Sequence, residues 1–344
     1  VKAELVWQDA PSLVTDIKYN SGTNGGTISF KVDKENIRQG NALIAIKDSQ
    51  NTILWSWHIW ITDENIYHTI KVTNHQNVSH DLMPIHLGWC EGEVINYAAR
   101  SCQVQFIAHG QTRLITVNQM RSTTSTQGNC TFYEWGRKDP LRPSSGYAYK
   151  NKTWYNAAGI ASTANHAVES FPFGNECIKN YIRKPDVMQK EIGGDNTYFN
   201  LWNADNNTNS NVYNDNPVTK TVYDPCPVGF AMPPSNTFTG FTTTGENVTN
   251  TVAKYNGEWN SSLPGWNFYC GPNKTGGTIF FPMTGERISS GGHLSAVGSL
   301  GHTWSATSTH SNYAHNLTLY TNYWVWPLDR FSKSAGHGVR PCLE

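Results

Sequence analysis

Along 53–61 the odd-numbered residues Ile53, Trp55, Trp57, Ile59 and Ile61 are all apolar, while Leu54, Ser56, His58 and Trp60 between them are mixed. Side chains of a strand alternate between two faces, so this pattern predicts a β-strand laid on a core, with the indoles of Trp55 and Trp57 as core filling. A helix would scatter these tryptophans around its axis. The same period gives strands over 27–32, 41–48 and 52–63, the last two joined by a turn at Asp48-Ser49-Gln50-Asn51. A second hairpin is expected at 102–120 around His109-Gly110-Gln111. Val104, Phe106 and Ala108 share a side of it, as do Ile115 and Val117 on the return. From 140 to 250 the pattern loosens into long polar loops, with helical periodicity only near 157–168 and 175–183. Short strands resume at 277–285, 302–308, 315–328 and 337–344, and no repeat or heptad is visible.

Composition sharpens this picture. Charged residues are 15% and aromatics 12%, so Asn, Thr, Ser and Gly must supply the polar surface. Those residues favour turns over helices, and their abundance is common in secreted, surface-displayed β-proteins. Lys+Arg and Asp+Glu are both 26, so no net charge steers the chain to nucleic acid or anionic lipid. No apolar run reaches the ~18–20 residues of a membrane span. The start, Val1-Lys2-Ala3-Glu4-Leu5, reads as the interior of a strand-rich region, so a trimmed or processed chain is expected. The 7 cysteines are scattered without a CxxC pair, which excludes a zinc ribbon or thioredoxin motif and leaves at least one thiol unpaired within the chain.

Candidate chemistry is sparse. The sequence contains no GxSxG, HExxH or P-loop, and no GxGxxG after a strand. His302, His310 and His315 lie close in sequence, but nothing between them is a carboxylate or thiol and the strand-turn pattern aims them apart. Residues 205–215 place Asp205, Asn207, Asn209, Asn211 and Asp215 at alternate positions, yet Ser210 and Asn216 stand where a calcium loop needs Gly and Glu. No metal and no cofactor are therefore expected. N-x-Ser/Thr sequons such as Asn77, Asn129, Asn151 and Asn316 arise easily in so Asn-rich a chain. The feature that stands out is aromatic: Trp324 and Trp326 project from one side of a strand that Pro327 marks as an edge. With Tyr320, Asn322 and Asp205 they form a candidate sugar-stacking site, in which indoles take the pyranose C–H face and Asn and Asp hold hydroxyls. Core burial of both indoles is the competing reading.

Five stretches in order, "FYEWGRKDP" (132–140), "YDPCPVGFAMPPSNTFTGF" (223–241), "GTIFFPMTGER" (277–287), "HTWSATS" (302–308) and "GHGVRPCLE" (336–344), resemble the FISUMP-type domain of Bacteroidetes surface proteins. That domain is C-type-lectin-like and similar to sulfatase-modifying-factor domains. Residues 40–63 and 82–92 resemble the segment preceding it in fimbrial tip and cell-adhesion proteins. The resemblance implies a mainly β fold with some α (α+β). Residues 1–75 would be a β-sandwich-like, fimbrillin-type region incomplete at its N-terminus. Residues 76–344 would be a C-type-lectin-like domain with long loops and a β-hairpin insertion near 102–120. It also implies a disulfide between Cys226 and Cys342, although Pro341 shifts Cys342 to the opposite side of its strand. The two close C-terminal cysteines of the formylglycine-generating relatives are missing, as is a Glu-Pro-Asn calcium tripeptide; Lys184-Pro185-Asp186 is the nearest match. The implied function is a non-enzymatic adhesin exported to the cell surface, at the outer membrane or fimbrium. Its expected partners are a glycan or protein receptor and other pilus subunits, with no nucleic acid and no membrane span. The alternative is a structural pilus subunit or spacer without a ligand site.

Overall fold

Lys2–Gln8, Gly40–Lys47 and Ile53–Ile61 pair antiparallel in that order, as their alternation predicts. The computed structural model describes residues 1–344 except 24, 36, 93, 126, 173, 191–199, 206–211 and 310–311. In it, Trp154–Tyr155 and Ala161–Ser162 extend this sheet beyond Lys2–Gln8, leaving Ile53–Ile61 as the opposite edge. The hairpin of Thr15–Asn20 and Thr27–Lys31 contributes Ile17 and Ile28 to a small core with Leu5, Leu13, Val14, Ala42 and Ile44.

The two faces of Ile53–Ile61 do not divide as the alternation implied. Ile59 and Ile61 join the small core, but Trp57 on the same side is 40% exposed and Trp55 is only half-buried. The mixed face is covered in part: Leu54 is exposed, but the polar positions turn inward. Ser56 is buried and its hydroxyl donates to Asp139 at 2.8 Å, while the Trp60 indole N–H donates to Trp89 O at 2.9 Å. The core of the whole molecule, not the local sheet, decides which face is covered, and it accepts polar groups whose hydrogen bonds are made.

The remaining chain folds around two aromatic clusters. In one, Phe241 stacks on Phe268 with centroids 4.1 Å apart, among Phe238, Tyr255, Trp266 and Phe281. In the other, Tyr133, Trp135, Trp202, Phe230 and Trp304 pack together. Buried indoles need an acceptor, and the Trp135 and Trp304 N–H groups reach Ser305 O and Tyr133 O, both at 2.8 Å. Over these clusters lie a three-stranded sheet of Gly257–Asn260, Gly265–Gly271 and Thr275–Pro282, and a four-stranded sheet ordered Val248–Thr249, Trp324–Ser332, Tyr313–Tyr320, Leu300–Ser308. The molecule is mainly β with minor α.

Strand pairing does not divide at residue 75. Gln8 pairs with Tyr155, and the hairpin Ile70–Thr73/Ser79–Leu82 is continued by the terminal strand through Cys342 opposite Leu82. The expected helix at 175–183 forms as Asn175–Arg183, burying Cys177 and Tyr181. The one at 157–168 does not. The Asn156 carboxamide oxygen accepts from Ala158 N and Ile160 N, and Gly159 has φ 74°, so a local turn outcompetes a first helical turn. Among the described residues no helix is long and apolar enough to cross a membrane.

The stretches that carry the resemblance are tied into the interior. Arg340 of "GHGVRPC" is buried; its guanidinium donates to Met83 O and Phe280 O, meets His86 Nδ1 at 3.0 Å and lies over the Phe281 ring. Arg287 of "MTGER" donates to Arg142 O, Gly292 O and Asn151 Oδ1. Asp224 of "DPCPVGF" closes its own turn by accepting from Cys226 N and Met232 N. Cys226 and Cys342 are free thiols rather than the implied disulfide. Cys226 packs in the Trp135 cluster and Cys342 in the Phe241 cluster, which accords with the shift that Pro341 imposes on the last strand.

Candidate functional site

The open edge of Ile53–Ile61 faces the turn 222–228 across a cavity of about 750 Å³. Trp55, Trp57, His58 and Trp60 line one side and Val222, Pro225 and Val228 the other, with Leu87 and Lys138 between. Each polar group is fixed from behind. Lys138 Nζ donates to Ser56 O and Asp139 and sits 4.4 Å from the Trp55 ring, which also meets Tyr223 with centroids 5.9 Å apart. His58 bridges Asn41 Oδ1 at 2.9 Å and the Tyr133 hydroxyl at 3.0 Å, and burial holds its pKa down at about 3, so it lines the cavity as a neutral ring. The Val222 and Val228 side chains are largely exposed on the rim. The result is a mostly apolar trough with an exposed indole at its lip, walled by the last strand of its sheet.

The C-terminal aromatics assemble, but in another geometry from a flat platform. Trp324 stacks on Trp326 with centroids 4.6 Å apart and 6° between planes, and Tyr320 lies 4.8 Å from Trp324. The rings cover one another's faces and are each half-buried, and the Trp326 N–H donates to Thr249 Oγ1 at 3.0 Å. Asn322 occupies the turn before them with φ 56°, a conformation that itself favours Asn. Asp205 is placed elsewhere: its carboxylate accepts from the Thr219 hydroxyl and its N–H donates to Asn203 Oδ1. Within the calcium-like stretch, 206–211 lie outside the described residues, and Asp215 is engaged by Asn74, His80 and Asn236. Of the histidines considered for a metal, His310 lies outside the described residues, and His302 sits not with His315 but against His337, with ring centroids 4.3 Å apart. The sequons at Asn129, Asn151 and Asn316 are buried, so folded chain offers them no room for a glycan.

Sequence reasoning missed the trough because it assigned Trp55 and Trp57 to a core. The available signal was Leu54-Ser56-His58-Trp60, a face with enough hydrogen-bonding groups to meet a polar partner element. The chain matches no protein-family model, no curated protein and no solved structure.

Proposed function

We propose that this chain is a non-enzymatic cell-surface adhesin of the fimbrial-tip kind, and that it holds a glycan or protein receptor in the trough beside Trp55 and Trp57. One observation carries the reading: an indole-lined cavity of about 750 Å³ along an open strand edge. Its size and its few fixed polar groups fit the general make-up of ligand sites. An exposed indole takes the C–H face of a pyranose or an apolar side chain. Because Ser56, Lys138 and Asp224 are already engaged, the trough keeps its shape without a ligand. Binding of this kind makes and breaks no covalent bond.

Trp57→Ala tests it, since that side chain is exposed and its loss leaves the core intact. On a glycan array and in pull-downs from receptor-bearing cells, the wild-type chain retains a ligand and the variant loses about tenfold or more in affinity, as for a stacked aromatic hot spot. Equal retention by both removes the trough from the mechanism. A second reading, a structural pilus subunit, is favoured by the hairpin Arg100–Ala108/Gln111–Gln119, whose Phe106, Ile115 and Val117 are more than half exposed. It prevails if wild-type chain retains neither glycan nor receptor but binds other pilus subunits through that hairpin.

A further inference from the structure

His302, His337 and Glu286 converge in the interior. Their ligand atoms all lie within 4.8 Å of one another, with His337 Nε2 3.7 Å from Glu286 Oε2. Both imidazoles are almost completely buried, and His302 Nε2, His337 Nδ1 and His337 Nε2 have no hydrogen-bond partner among the described residues. A buried nitrogen without a partner is costly, and since each neutral imidazole offers one lone pair, the two rings and the carboxylate bring three donor atoms to one place.

Thr318 Oγ1 donates to Asp329 Oδ2 at 2.6 Å and accepts from Asn316 Nδ2 at 2.9 Å; it lies 3.0 Å from His302 Nδ1, and Asn316 Nδ2 lies 3.3 Å from the same nitrogen. With its proton on Nδ1, donated to Thr318 Oγ1, His302 turns a bare lone pair at Nε2 toward His337 and Glu286. A carboxylate-backed group holding the far nitrogen of an imidazole is the arrangement that orients metal-binding histidines. Glu286 also borders a cavity of about 380 Å³ with Ser289, Phe331 and Ala335, which leaves room for a fourth, non-protein ligand on the carboxylate side.

We propose that Glu286, His302 and His337 bind one divalent transition-metal ion of the zinc type. Two imidazoles and a carboxylate suit that class, which keeps ligands at about 2.0–2.2 Å. The two rings lie 14° from parallel with centroids 4.3 Å apart, so to bring both in-plane lone pairs onto one ion His337 must rotate out of its stack between His302 and Trp304, whose indole lies 4.2 Å from it. The ion joins the closing segment at His337 to the Leu300–Ser308 strand and to Glu286. The proposal is independent of the trough and its receptor.

The experiment is titration of chelator-treated, full-length chain with zinc chloride by calorimetry, and with cobalt(II) by visible absorption. One ion per chain is expected, with a cobalt spectrum of nitrogen and oxygen ligands and no thiolate charge-transfer band. His302→Gln and His337→Gln abolish the binding, Glu286→Gln weakens it, and Thr318→Val, which touches no ion, weakens it by about 10–100-fold. His293→Gln, at an exposed position, leaves it unchanged. No saturable uptake by the wild-type chain, a thiolate band, or zinc retained by the histidine variants overturns the site. Should those two variants fail to fold by circular dichroism, Glu286→Gln decides: unchanged affinity there is equally fatal.

Discussion

Lys333 is 1% exposed, and its ammonium rests 4.6 Å from the centre of the Trp135 ring. Burial lowers its pKa to about 7, against about 10.4 for a free lysine. Between those values the unfolded chain binds more protons than the folded one, so stability rises with pH, with a slope of up to about 1.4 kcal/mol per unit. Below about pH 7 the whole cost of charging a buried ammonium is present. Lys333→Met keeps the packing on Trp135 and removes the charge. Urea midpoints at about pH 6 and about pH 9 should differ for the wild-type chain and converge in the variant, with the gain at the lower value. A variant that is less stable at the lower pH would show that the ammonium is compensated in full. Ser56 and Trp57 show the same principle from the other side: a satisfied hydroxyl is buried at 2% exposure while an indole one residue on is left at 40%.

At the scale of elements, the hairpin Arg100–Ala108/Gln111–Gln119 is the outlier. The hairpin forms where the sequence places it, with a two-residue turn of φ 51° at His109 and 74° at Gly110, one residue tighter than the His109-Gly110-Gln111 connection expected. Its alternation predicted a covered face, but every residue from Arg100 to Asn118 with a side chain in the two strands is exposed. An isolated two-stranded ribbon is marginal in water, and its bared apolar side suits the pilus-subunit contact proposed above. Replacing Arg100–Gln119 by a short glycine linker should shift unfolding free energy by no more than about 0.5 kcal/mol, the range for surface changes, as read from urea denaturation. A larger loss would mean that the ribbon supports the core. Cys102 lies on this ribbon and is exposed, whereas burial pushes the thiols of Cys130 and Cys342 up to about 12. Alkylation followed by mass spectrometry should label Cys102 first and Cys130, Cys226 and Cys342 only on unfolding. If Cys226 and Cys342 resist alkylation in denaturant until reductant is added, they are a disulfide after all.

At the scale of the molecule, a few buried arginines hold distant segments together. Arg340 links the terminal strand to Met83, His86 and Phe280. Arg340→Met leaves those neutral acceptors without a donor and should cost about 1–3 kcal/mol, the range for a buried polar group left unsatisfied. Arg340→Lys recovers only part of it, since a lysine has no planar fork. Equal urea midpoints for wild type and Arg340→Met would remove this clamp from the account. Strand type, hairpin position and the Asn175–Arg183 helix were legible in the chain because each depends on neighbours a few residues apart. The candidate sites were not. Trp324 and Trp326 share a side of their strand, as their spacing requires, yet their face-to-face stacking is set by the strands beside them.

What the sequence determined by itself is local: alternation makes strands, Asn and Gly place the turns, and the composition makes the protein mainly β. Only the tertiary structure decided which face of Ile53–Ile61 is inside, that Gln8 meets Tyr155, and that His302 meets His337 and Glu286. The physical reason is that burial and polar satisfaction are settled by groups brought together across long stretches of chain. A period of two specifies two faces, but not which one the rest of the molecule will cover.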